Sequence, residues 1–112
     1  MANTFKLVTK ANVTSADVIY TPDSVTTVIL GLILGNTTSS QVTSTVSLAS
    51  STGSRAGDNN ESNQTVELIT DAPIPAGSSL ELLAGNKVVM EDNDALSVTA
   101  TGSTDVALSI ME

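Results

Sequence analysis

Apolar residues in this chain return at every second position, and that spacing admits few folds. Val42, Ser44, Val46 and Leu48 fall on one side of an extended segment, with Thr43, Thr45 and Ser47 on the other. Leu96, Val98 and Ala100 repeat the pattern, as do Val106, Leu108 and Ile110, and Leu80 and Leu82 flank Glu81. Only a β-strand puts residues i, i+2 and i+4 on one face. No segment longer than ten residues holds a helical period, so helix content should be close to nil. The usage agrees: sixteen Thr and fifteen Ser accompany abundant Val. Branching at Cβ suits a pleated surface, and Ser, Asn and Gly supply turns.

Turn signals punctuate the chain about every ten residues. They place strands near 4–11, 16–21, 25–35, 40–49, 64–70, 78–83, 86–90, 94–100 and 104–111. In the first, Phe5 and Leu7 should face inward and Lys6 and Lys10 outward. Many short strands at this spacing indicate one antiparallel β-sandwich of eight to nine strands over residues 1–112, jelly-roll or immunoglobulin-like. A cysteine-free chain of this length can bury one core without staples. The Ser/Gly/Asn-rich stretch Ser50 to Asn63 reads as one long, flexible loop.

Two segments break the alternation. Val28 to Leu34 is apolar without interruption apart from Gly31, as expected of a strand covered on both faces. One cover is the core; the other is a neighbouring subunit or a loop. Val28, Leu30, Leu32 and Leu34 are therefore candidate interface residues. In Asp71 to Gly77, Pro73 and Pro75 bracket Ile74. Each proline fixes φ and drives the preceding residue extended, so this reads as a rigid connection, with Gly77 free to turn into the next strand. Pro73, Ile74 and Pro75 complete the interface candidates.

Chemistry is harder to find. The chain has no histidine, cysteine or tryptophan, and Phe5 and Tyr20 are its only aromatic residues. Nucleophilic catalysis has lost its usual base, and no pair of carboxylates is singled out by spacing. No catalytic residue, cofactor or metal ligand is assigned. Glu91-Asp92-Asn93-Asp94 could gather oxygens for a cation, but it lacks the glycine and distal glutamate of a calcium loop and reads as a solvated turn. Gly57 to Glu61 reads as a polar loop tip, with Arg55 beside it. Two aromatics make a poor sugar platform. Asn12, Asn36, Asn60 and Asn63 each open a glycosylation pattern, as chance predicts in so hydroxyl-rich a chain.

Twelve acidic residues against Lys6, Lys10, Arg55 and Lys87 give a net charge of −8, which repels phosphate backbones and argues against nucleic acid as a partner. No apolar run approaches the ~20 residues a membrane helix needs, and Met1 to Lys6 lacks the signature of a secretory signal. The expectation is a soluble product with no membrane partner.

The Thr70 to Leu80 segment belongs to a wider resemblance. It joins Ala11-Asn12-Val13, Ile19-Tyr20-Thr21 leading into Thr26 to Leu32, Gly35 to Val42, Lys87 to Glu91 and Asp105 to Glu112. Together these resemble the small virion structural proteins of tailed bacteriophages, especially those of marine bacteria such as cyanophages. The long loop at 50–63 departs from that pattern. The resemblance implies a non-enzymatic β-sandwich on the virion, assembled in the host cytoplasm. Its partners would be other virion proteins, with the major capsid protein first, and copies of itself in a trimer or ring. A capsid decoration (cement) protein is the favoured role, ahead of a neck, tail or adaptor ring component or a fibre-type host-binding module.

Overall fold

The computed structural model describes residues 4–51, 64–83 and 87–112. From residue 52 on, the loop expected at 50–63 lies outside them, as do Arg55, the Gly57 to Glu61 cluster and residues 84–86. The described residues form nine strands and no helix: β1 Phe5–Val13, β2 Ala16–Tyr20, β3 Thr27–Asn36, β4 Val42–Ser50, β5 Gln64–Ile74, β6 Ser79–Leu82, β7 Val88–Met90, β8 Ala95–Ala100 and β9 Thr104–Met111. All nine expected segments are present. Among the described residues no helix is long and apolar enough to cross a membrane.

The strands form two antiparallel sheets. One runs β1-β9-β3-β6, with β7 also on β3; the other runs β2-β8-β4-β5. β6 pairs with Leu32 to Gly35 and β7 with Thr27 to Ile29, so together they fill one position along β3. The pairing is nested: β1 with β9, β2 with β8, β3 with β6 and β7, β4 with β5. A single long hairpin, rolled up, has this connectivity. It is the jelly-roll form of the sandwich, because in an immunoglobulin sheet the first strand would pair with the second.

Alternation produces the core. Val42 and Val46 of β4, Leu96, Val98 and Ala100 of β8, and Val106, Leu108 and Ile110 of β9 all point between the sheets and are buried. Ile29, Leu32 and Leu34 join them from β3. Ile29 and Leu32 are three apart, yet both face inward, because a bulge beside Leu30 resets the phase. Bulges also mark β1 and β5, with Asn12 and Asp71 at positive φ (59° and 47°). Short polar side chains tolerate that conformation better than most residues.

Two expectations are corrected. Phe5 and Leu7 point outward, and Val8 packs against the core. β1 lies on the edge of its sheet, where lysine stems can run along apolar surface and deliver their ammonium groups to the rim. Asp71 to Ile74 is not a connection but the end of β5. β5 is an edge strand, where Pro73 costs no ladder hydrogen bond. The turn follows it: Ser78 N donates to Pro75 O at 3.0 Å, and Gly77 supplies the positive φ (69°).

Candidate assembly surface

The two outer faces differ in chemistry. On the β2-β8-β4-β5 sheet, Val18, Ser97, Ser47 and Glu67 line up across the strands, with Ala16, Thr99 and Thr45 as the next row. That face is mostly hydroxyl. On the other sheet, Phe5, Met111, Val28 and Val89 form one row across four strands. Leu7, Ser109 and Gly31 form the next, and Thr9, Ala107, Ile33 and Glu81 a third. Phe5 is 72% exposed, Leu7 66%, Val89 55% and Ile33 44%. Contiguous exposed apolar surface of this kind marks an interaction site, whereas single exposed hydrophobes do not.

Small residues shape this face. Gly35 and Ala107 leave a groove of about 350 Å³ lined also by Thr9, Lys10, Ala11, Ile33 and Asp105. A Cβ built on Gly31 would meet nothing within 4 Å, so the centre of the face is open.

The structure divides the sequence-predicted interface residues. Val28 and Leu30 lie on the apolar outer face, half-buried. Leu32 and Leu34 lie in the core, and so does Ile74, which the bulged end of β5 turns inward. Pro73 and Pro75 are exposed at the opposite sheet's edge and its following turn, away from Val28 and Leu30. The seven therefore do not form one surface. Phe5, Leu7, Ile33 and Val89 are the members that sequence reasoning missed.

A polar cluster at one end of the sandwich forms a latch. The Glu112 carboxylate accepts hydrogen bonds from Lys6 Nζ at 2.8 Å, from Thr27 Oγ1 at 2.8 Å and from the Tyr20 hydroxyl. Thr4 and Glu112 also exchange backbone hydrogen bonds of 2.7 and 2.9 Å. Tyr20 belongs to one sheet and the other three side chains to the opposite one, so the latch closes that end of the sandwich. The donors, Lys6 foremost, hold Glu112 down at about 2. The same hydrogen bond raises Lys6; burial, then the bond to Glu112, raises Tyr20. A carboxylate so stabilised is an anchor, not a proton donor at neutral pH. A folded-state value below the usual 4.5 contributes stability above about pH 4.5 that disappears as pH falls towards 2. Glu112→Gln should cost about 2 kcal/mol at neutral pH, less than the shift alone implies because Lys6 is half exposed. Urea titrations should show the difference from wild type shrinking between pH 4.5 and 2.

The carboxylates of the acidic turn are engaged by backbone N–H groups, one from the turn itself and two from neighbouring segments. Asp94 accepts from Ser51 N at 3.0 Å and Glu91 N at 2.9 Å, and Asp92 from Ser24 N at 2.7 Å. Among the described residues no three His, Cys, Asp or Glu side chains are grouped to hold a metal ion. Asn36 is buried with its amide engaged, so its glycosylation pattern is inaccessible in the folded protein.

No protein-family model matches the sequence, and no curated protein matches it significantly. Among solved structures, the fold is similar to that of a Bacillus endospore appendage protein of disulfide-linked pili, at 13% identity and TM-score 0.44, covering 98% of this chain and 85% of that one. It is also similar to a chain of the infectious bursal disease virus T13 particle, at 9% identity and TM-score 0.39, covering 97% of this chain and 34% of that one. Likenesses this remote carry no argument about function.

Proposed function

We propose that this protein is a non-enzymatic structural component of a tailed-phage virion, a decoration protein that binds the major capsid protein and reinforces the head. The observation that carries the reading is the two-sided sandwich. One sheet turns an apolar face to solvent, and the other presents rows of hydroxyls. Such a body is suited to being built into something larger. The sequence resemblance to phage virion proteins supplies the setting. Jelly rolls serve viral capsids and lectins alike, so the fold alone does not choose between roles.

Copy number tests the proposal. Quantitative mass spectrometry of purified particles should find on the order of hundreds of copies per virion, as surface coverage of a symmetric shell requires. About six or twelve copies would assign the protein to a neck or tail ring instead. Absence from the particle would remove it from the virion altogether.

A further inference from the structure

We propose that the apolar face of the β1-β9-β3-β6 sheet is covered by the same face of a second copy, related by a twofold axis that runs across the strands. The inference rests on the assembly part of the reading above and not on the virion.

Shape is the first argument. Phe5 projects from one end of the face, level with Val28. The groove over Ala107 and Gly35 lies at the other end. Val28 and Gly35 sit symmetrically about the level of Gly31 and Leu32. A half-turn about an axis at that level lays the Phe5 ring of each copy over the groove of the other. Projection and groove occupy one face, so both are filled at once only in an isologous pair. A ring would need them on different sides, so a pair is proposed in place of the trimer or ring expected from sequence.

Charge is the second argument. The chain carries −8, so most faces of two copies repel. On this one Glu81 and Lys87 carry opposite charges along the β6 and β7 side, while Lys10 is engaged with Asp17 of the other sheet at 3.6 Å. Glu81 pairs with Ile33, and Lys87 precedes Val88, the partner of Ile29. The two flank the same central level, so the half-turn sets Lys87 of one copy beside Glu81 of the other, twice per pair.

Area is the third argument. Four strands about 4.8 Å apart and eight residues rising about 3.3 Å each make a flat area of about 500 Å². That flat area lies just below the roughly 600 Å² per partner at the low end of specific interfaces, before the corrugation of the side chains is added.

Sedimentation velocity of the full chain tests the pairing. Wild type at micromolar concentration should run at twice its 11.4 kDa mass. Phe5→Ala, which empties the groove, and Ala107→Leu, which fills it, should each weaken the dimer at least about tenfold. Measured at concentrations too low for pairing, their melting temperatures should match wild type, since both side chains point out of the core. Lys87→Glu should weaken the dimer, and adding Glu81→Lys should restore it. A wild-type monomer or trimer overturns the proposal. So does a dimer indifferent to Phe5→Ala, or a charge swap that fails to restore pairing. Copy number on particles is measured separately: a monomer abundant on virions defeats the pairing alone, and a dimer absent from virions defeats only the virion role.

Discussion

Leu32→Asp should leave the protein unfolded. Leu32 lies in β3, the inner strand that β9 covers on one side and β6 and β7 on the other, and it is 1% exposed. Its neighbours across the sheet are Leu82 and Leu108, so a carboxylate there meets no donor. An unpaired buried charge is among the costliest single changes, above about 4 kcal/mol, against a total stability of about 5–15 kcal/mol for a domain. Far-UV circular dichroism and a urea titration would register the loss. The informative control is one residue away. Ile33→Asp places the same charge on the outer face, where water solvates it in the unpaired chain, and should cost less than about 1 kcal/mol at concentrations too low for pairing. A cooperative, wild-type-like unfolding curve for Leu32→Asp would show that β3 is turned over.

Asn36→Ala should be the most damaging polar substitution. The side chain is buried at the corner between β3 and β4 and satisfies four groups. Its amide nitrogen donates to Ser40 O at 2.8 Å and Ile74 O at 2.9 Å, and its oxygen accepts from Thr38 N at 2.8 Å and Thr38 Oγ1 at 2.7 Å. It thereby pins one sheet's corner to the far end of β5 in the other. Alanine leaves part of that space empty and those partners without their hydrogen bonds, for a loss of about 3 kcal/mol. For a domain of this size that lowers the melting temperature by roughly 10–15 °C. Asn36→Asp sharpens the test. It keeps the acceptor but sets a carboxylate against two carbonyl oxygens, which raises its folded-state pKa. Its penalty is full above that pKa and shrinks as pH falls, because a protonated carboxyl donates one hydrogen bond again. A penalty independent of pH would mean that the amide nitrogen is not the group that matters.

Much of this architecture was legible in the chain itself. The alternation of β4, β8 and β9 places their buried residues without error, because each has the core on one side and solvent on the other. Legibility failed where that asymmetry was disguised. In β3 both faces are apolar, and a bulge shifts the phase, so composition could not divide Val28 and Leu30 from Leu32 and Leu34. In β1 the outward residues are Phe5 and Leu7, and the inward ones include Lys6, whose partner Glu112 lies 106 positions away. No local pattern reports a contact of that range. The candidate surface was half legible for the same reason: its β3 members stood in an obvious apolar run, whereas Phe5, Leu7 and Val89 belong to it only through a register that pairs β1, β9, β3 and β7. Ile74 was read as an interface residue because its flanking prolines suggest a loop; on an edge strand they do not break the sheet.

The nested pairing also dictates a sequence of events. Only β4 and β5 are neighbours both along the chain and in a sheet; every other ladder closes a longer loop, and β1 with β9 the longest of all. Loop-closure entropy makes each outer pair conditional on those within it, so folding is expected to proceed from the innermost hairpin outward and slowly for the chain length, an order that mutational folding kinetics would check. On that order the apolar strand that carries Phe5 and Leu7 should be the last to dock, and should stay available to foreign edges throughout the preceding steps.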